Sequence, residues 1–418
     1  MLIEFRVENH FSLRDEQALS LEAGPTGESS DPRPRVVEGY RERLLPAAVI
    51  YGANASGKTN LLEALAFMRN AVLASHRGWD PLGGIPRTPF AWGNKRNDSS
   101  FFEVTFLVGT TKYVYGFAVD DEVVVEEWLF AWPKSHKQMW FWREGGDVKF
   151  GDFLDGPNDA VREVTRPNAL FLSAAAQHGH EQLSALYTWF REIIVVNIRD
   201  RRTRLFQSRY LPEAYFSSDD EQPTVSKAAE ADDAFSSRLQ HLLKSADFGI
   251  VDIKTIEEES GHRSSRRQFL LQHQDGDDES WLDLRNESNG TKTLFLMAPS
   301  IFCALDSGGI LLIDELESSL HPLLGLAIIE MFNCPKTNPR NAQLVFTTHD
   351  TNLLGTTLGE PPLRRDQIWF TEKDEEGATK LYPLTDYKPR KSENLERGYL
   401  QGRYGAIPFL GDIARITE

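Results

Sequence analysis

The sequence predicts an α/β fold: a mixed central sheet around a phosphate-binding turn, with an antiparallel β meander and an inserted helical lobe. Three observations carry that expectation. A glycine-rich turn, Gly52 to Thr59, stands between a short apolar run and an amphipathic helix. A continuous apolar run, Ile310 to Ile313, ends far downstream in two acids, Asp314 and Glu315. Between them the chain alternates first with the period of strands and then with that of helices.

The bulk properties set limits on this reading. A chain of 418 residues exceeds the usual size of one hydrophobic core, which implies one large domain with an insertion, or two domains. Hydrophobic residues at 40% and charged residues at 26% are those of a soluble globular protein, not of a disordered or fibrous one. A net charge of −16 excludes a wholly basic, nucleic-acid-coating surface and leaves room only for a local basic stripe. Two cysteines, Cys303 and Cys334, without CxxC spacing indicate neither a disulfide scaffold nor a zinc site and read as buried free thiols. The start, Met1 to Arg6, lacks signal-peptide character and no apolar run reaches the length of a membrane span, so a cytoplasmic location and no membrane partner are expected.

Residues 1 to 23 alternate around Ile3, Phe5 and Val7 and again around Leu19 and Leu21, which predicts an opening hairpin. Gly24 to Pro34 has loop chemistry, and Ala47 to Tyr51 resumes as a buried strand leading into the glycine-rich turn. Asn60 to Ala74 carries Leu61, Leu62, Leu65, Phe67 and Met68 at helical spacing. Three β-rich runs from Phe101 to Phe130, with a further strand around Trp140 to Trp142, predict the meander. From about 158 to 245 the pattern is helical, interrupted by the apolar run Ile193 to Ile198 and by the acidic stretch Ser217 to Asp233, which is expected to be mobile. Phe248 to Ile256 and Arg267 to His273 read as strands, and Asp275 to Ser280 as an acidic turn. The expected division is 1–92 for the first part of the core, 93–157 for the β subdomain, 158–247 for the helical lobe and 248–418 for the rest of the core. No fixed-period repeat and no sustained heptad pattern occurs.

Gly52-Ala53-Asn54-Ala55-Ser56-Gly57-Lys58-Thr59 fits G-x-x-x-x-G-K-[ST] at every fixed position, between a strand and a helix as the chemistry requires. Backbone N–H groups from Asn54 to Asn60 can surround a β-phosphate, Lys58 can neutralise β/γ oxygens, and the Thr59 hydroxyl can ligate Mg²⁺. Ile310 to Ile313 reads as a central parallel strand delivering Asp314 to the metal and Glu315 to the water that attacks the γ-phosphate. More than half the chain separates the two elements, which implies a large intervening lobe. Glu287-Ser288-Asn289-Gly290-Thr291-Lys292 precedes an apolar helical run; a Ser/Asn/Gly/Thr cluster there is a helix cap on its own terms. Gln343 to Phe346 is a further apolar strand, ending in Thr347-Thr348-His349-Asp350.

These segments, in order and wording from Glu8-Asn9 through the phosphate loop, Asp314-Glu315-Leu316-Glu317-Ser318-Ser319-Leu320-His321-Pro322 and Thr347 to Asp350, to Arg403-Tyr404-Gly405-Ala406-Ile407-Pro408, resemble the prokaryotic AAA/ABC-type ATPases of the RloA and OLD-like groups. The resemblance spans nearly the whole chain. These groups are relatives of the RecF and structural-maintenance-of-chromosomes heads, and many belong to phage-defence or abortive-infection loci.

The resemblance implies an ABC-type ATPase head that uses ATP and Mg²⁺. Ser288 and Gly290 then match the signature that one subunit presents to the γ-phosphate held by another, His349 matches the switch histidine, and His321 is expected to be structural. Implied partners are a second copy of the chain in an ATP-linked dimer and a separately encoded effector such as a nuclease or toxin. Nucleic acid is a possible further partner, and a RecF-like DNA repair or maintenance ATPase is the competing reading. The chain departs from OLD nucleases in having too little sequence after His349 for their nuclease domain, and from chromosome-maintenance proteins in lacking coiled-coil arms. No Q-loop glutamine is assignable. Two basic stretches, Arg199 to Arg209 and Lys388 to Arg403, read as solvated faces or as contact surfaces, and Tyr399 and Tyr404 favour contact for the second.

Overall fold

The computed structural model describes residues 1–25, 31–134, 136–196, 233–246, 249–258, 266–274, 281–356, 359–390 and 392–408. The basic run Arg199 to Arg209, the acidic turn Asp275 to Ser280 and all but the last residue of Ser217 to Asp233 lie outside the described residues.

The chain opens with β1 (Leu2–Glu8) and β2 (Gln17–Ser20), antiparallel partners as their alternation predicts. Next come β3 (Ala47–Gly52), buried at every position, and α1 (Lys58–Gly78). The meander follows as β4 (Ser100–Val108), β5 (Thr111–Val119), β6 (Val124–Trp132), β7 (Gln138–Glu144) and β8 (Asp147–Phe150). Because β1 also pairs with β4, the opening hairpin extends the meander into a seven-stranded antiparallel sheet, in the order β2-β1-β4-β5-β6-β7-β8.

Three helices come next, α2 (Asn158–Val164), α3 (Phe171–Gln177) and α4 (Glu181–Arg191), and then β9 (Ile193–Val196). β9 is the apolar run that interrupts the helical pattern, and it is an edge strand of the central sheet, in register with Ile310 to Ile313. The Glu192 carbonyl at the end of α4 accepts from the Ile310 N–H at 3.1 Å, so the helix hands the chain directly to the sheet. Helix α5 (Asp233–Ala246) leads to a small antiparallel sheet of β10 (Ile250–Glu258), β11 (Arg266–His273) and β12 (Trp281–Asp283).

The last part of the chain supplies α6 (Asn289–Ser307), β13 (Ile310–Ile313), α7 (Pro322–Asn333), β14 (Gln343–Thr347), β15 (Ile368–Lys373), β16 (Thr379–Pro383) and α8 (Leu395–Leu400). The central sheet has the order β16-β15-β3-β14-β13-β9. Its strands are parallel except for β16, which gives the mixed sheet expected.

Successive side chains of a strand point to opposite faces, so each apolar run serves two cores. Ala48 and Ile50 of β3, Ile310 and Leu312 of β13 and Val345 of β14 join the core that also holds α1 and the seven-stranded sheet. Ala47, Val49 and Tyr51, with Leu311, Ile313, Leu344 and Phe346, join the opposite core with α6 and α7. Helix α1 is thus clamped between two sheets, which fixes the glycine-rich turn at its start.

Candidate nucleotide site

β3 ends in Gly52 and the chain turns through exposed Asn54 and Ala55 into α1. Two glycines are needed sterically. A Cβ on Gly52 would lie 2.4 Å from the Ser56 and Thr371 hydroxyls, and one on Gly57 would lie 2.1 Å from Thr379 Oγ1, with Gly57 also at φ +103°. Gly57 is the N-cap of α1 and no side chain caps it, so the first helical N–H groups are left for an anion, where the helix dipole favours negative charge.

Lys58 is buried, and its Nζ donates to the carbonyls of Gly52 (2.9 Å) and Ala53 (3.1 Å), closing the loop on itself. Burial lowers its pKa, opposed by the carboxylates of Asp314, Glu315 and Glu317. The ammonium therefore sits among acids that offset part of the cost of burying it.

The Thr59 hydroxyl donates to Asp314 at 2.9 and 3.1 Å, bringing together the two predicted metal ligands from the start of α1 and the end of β13. Among the described residues no group of three or more His, Cys, Asp or Glu could hold a metal ion. One hydroxyl and one carboxylate, all oxygen, suit Mg²⁺ completed by phosphate oxygens and water, and not a transition metal.

Thr347, fully buried at the end of β14, donates from Oγ1 to Asp314 Oδ1 (2.7 Å) and accepts from the Glu315 N–H (2.8 Å). Glu315 adopts φ +51°, unusual for a glutamate, and its side chain is exposed beside buried Asp314. The acid pair is therefore split: one carboxylate faces Thr59, the other is open to solvent.

His349 lies two residues past β14, exposed, with its N–H donating to Glu317 at 2.5 Å. Desolvation lowers its pKa and Lys58 adds to the shift, against Glu317, Glu315 and Asp314, so near neutral pH the ring is uncharged with one N–H to donate. Ser288 is the N-cap of α6, its hydroxyl accepting from the Thr291 N–H at 3.1 Å, and both it and Asn289 are exposed. Gly290 packs so that a Cβ would stand 3.0 Å from the Ser319 carbonyl, which ties the start of α6 to the segment after Glu315. Among the described residues, no hydrogen bond or ion pair joins Ser288 or Gly290 to Gly52–Asn60.

Residues 47–355 match the family described as "AAA domain, putative AbiEii toxin, Type IV TA system". The chain belongs to that family. None of the curated proteins matches it. Similar solved structures include an SMC head bound to the C-winged helix domain of ScpA, with 12% identity over 91% of this chain and 97% of that one and a TM-score of 0.48. An SMC head domain from Thermotoga maritima is similar at 12% identity over 91% and 98%, with a TM-score of 0.39. No helix among the described residues is long and apolar enough to cross a membrane.

The AAA domain relies on residues that sequence reasoning missed. Ser12, in the β1–β2 loop, contacts Asn60 Nδ2 (2.6 Å) and Thr379 Oγ1 (2.7 Å); Thr379 in turn donates to the Ser56 carbonyl (2.8 Å), and Thr371 pairs with the Ser56 hydroxyl (2.6 Å). β15, β16 and the opening loop thus brace the phosphate loop from behind.

Other expectations are corrected. Tyr399 and Tyr404 are buried, stacked on Phe370 at 5.5 and 5.9 Å, and Arg403 pairs with Glu393, so the aromatic part of Lys388 to Arg403 is core and not a contact surface. Cys303 and Cys334 are free thiols but only half-buried. His321 is structural as expected: it caps α7, with Nδ1 accepting from the Leu323 N–H.

Proposed function

We propose that this AAA domain binds and hydrolyses ATP with Mg²⁺, and that two copies sandwich the nucleotide so that each active site is shared. The observation that carries this reading is the uneven arrangement of the site: Lys58, Thr59 and Asp314 converge within one chain, while exposed Ser288 and half-buried Gly290 stand at a helix start without a partner in that cluster.

In this reading Asn54 to Asn60 supply backbone N–H groups to the β-phosphate, and Lys58 exchanges its two loop carbonyls for β/γ oxygens. Thr59 and Asp314 would hold Mg²⁺, which supplies neutralisation of the phosphate charge. Glu315, projected outward by its left-handed backbone, orients the attacking water and polarises it, and neutral His349 donates to the γ-phosphate. Ser288 and Gly290 of the second copy complete the γ-phosphate's surroundings with a hydroxyl and a helix N-terminus.

We place this switch in phage defence or abortive infection, with hydrolysis resetting a dimer that controls a separately encoded effector; the family description supports only the toxin–antitoxin setting of that reading. For the RecF-like alternative, burial of Tyr399 and Tyr404 removes the aromatic part of the second basic stretch as a nucleic-acid surface, while the first, Arg199 to Arg209, lies outside the described residues.

Glu315→Gln tests the sandwich. It removes the water-orienting carboxylate and leaves phosphate contacts in place, so sedimentation velocity with saturating ATP and Mg²⁺ should give a stable dimer. A variant that binds ATP yet sediments as a monomer rules out the shared site.

A further inference from the structure

Of the nine tryptophans, Trp92 alone is exposed, at 62%. Leaving an indole in water forfeits its burial energy, yet this one is held firmly. Its ring packs edge-on against buried Phe90 at 5.3 Å and lies 3.7 Å from where a Cβ of Gly377 would stand. The Phe90 N–H donates to Asn9 Oδ1 at 3.0 Å, and the Asn9 amide donates to the carbonyls of Lys95, Asp98 and Ser99, so one fully buried asparagine pins both ends of the Trp92 loop.

The same supports carry the phosphate loop. Gly377 lies two residues before Thr379, which donates to the Ser56 carbonyl. Phe11, whose N–H donates to the Thr88 carbonyl at 2.7 Å, is followed by Ser12, which meets Asn60 on the first turn of α1. Trp92 is thus tied, through Gly377 and through the Phe11–Thr88 pairing, to the two segments that touch the phosphate loop at Ser56 and Asn60. Of the cations beside the Trp92 loop, Arg14, 5.9 Å from the Phe90 ring, is paired with Asp15, Asp374 and Glu376, and Lys95 with Glu8. With those two charges paired, what the loop presents to solvent beside them is the face of the Trp92 indole.

We propose that Trp92 is the stacking platform for the base of the bound nucleoside triphosphate and that it gives the site a preference for purines. The inference rests on the nucleotide reading above and adds the part of the ligand that the phosphate loop cannot recognise. Stacking grows with the π-face available, so the larger purine gains more than a pyrimidine.

Calorimetric titration of wild type, Trp92→Ala and Trp92→Phe with ATP, UTP and inorganic triphosphate tests it. A lost base stack weakens binding by about tenfold or more. Trp92→Ala should therefore lose that much affinity for ATP, Trp92→Phe should recover most of it, and triphosphate affinity should not change. Wild type should prefer ATP to UTP, and the preference should shrink in Trp92→Ala. Unchanged ATP affinity, or an equal loss for ATP and triphosphate, overturns the platform while the nucleotide site stands. If wild type binds triphosphate no better than Lys58→Ala does, the nucleotide reading itself falls, and the platform with it.

Discussion

The two ends of the candidate site are built in opposite ways. The phosphate-loop end is closed on itself: Lys58 is tied to Gly52 and Ala53, Thr59 to Asp314, and Asp314 to Thr347, and each of these side chains is buried or half-buried. The signature end is open: Ser288 uses its hydroxyl only within the first turn of α6 and stands exposed beside Asn289. The first end needs a ligand to replace bonds it already makes. The second has helix N–H groups with nothing yet to bind, which makes sense if its ligand arrives on another molecule.

The strongest way to break that contrast is complementation. Lys58→Ala should lower ATP turnover at least ~100-fold, since it removes the main cation from the developing charge. Ser288→Arg, at an exposed position, should abolish turnover similarly by blocking the partner's phosphate while leaving nucleotide binding to its own loop intact. Each is inactive alone, but a mixed dimer contains one site built from two intact halves. Mixing equal amounts should restore about a quarter of wild-type activity, because half the dimers are mixed and each has one working site. A mixture as inactive as its components places both ends in one chain's site and ends the shared-site reading.

How much of this was legible in the sequence follows the same divide. The phosphate loop and the acid pair were readable because their chemistry demands fixed residue types at short, fixed spacings, and the strand and helix flanking Gly52 to Thr59 appeared where that demand puts them. The braces were not readable. Ser12, Thr371 and Thr379 reach the loop from distant parts of the chain, and a hydroxyl side chain carries no periodicity that announces a long-range partner. β9 was hidden because four apolar residues between helices read equally as strand or buried helix. Tyr399 and Tyr404 were misjudged because tyrosine beside arginine looks the same in sequence whether the ring stacks on a ligand or on Phe370.

A finer test concerns Thr347, the hinge between the closed end and exposed Glu315. If Thr59 turns from Asp314 towards a metal ion, Thr347 still holds Asp314 Oδ1 and the Glu315 N–H. Thr347→Val keeps the shape and removes both bonds, one of them to a charge, which is worth about 1.5–3 kcal/mol, or roughly 10–100-fold in turnover. Thr347→Ser should keep near-normal rates. The expected signature is a fall in kcat with a raised Mg²⁺ requirement and little change in the affinity for metal-free triphosphate. A uniform loss of all three, with a lowered Tm, reduces Thr347 to a packing residue.

The smallest effect asks what the closed end rests on. His10, in the same loop as Ser12, is 1% exposed among Phe11, Phe67 and Phe102, and neither ring nitrogen has a partner. Burial, with Arg87 nearby, lowers its pKa from 6.5 to about 3. Below the ordinary histidine value the unfolded chain takes up a proton that the folded chain refuses, so stability is full above that value and falls as pH drops towards the folded one, by up to ~1.4 kcal/mol per pH unit. His10→Leu, similar in volume and without nitrogens to strand, should remove that share of the acid slope and leave stability at neutral pH equal or slightly higher. Urea titrations between pH 7 and 4.5 measure it. A slope equal to wild type would mean that His10 opens to solvent before it titrates, and that the support beneath Ser12 and Asn60 yields more easily than the buried ring implies.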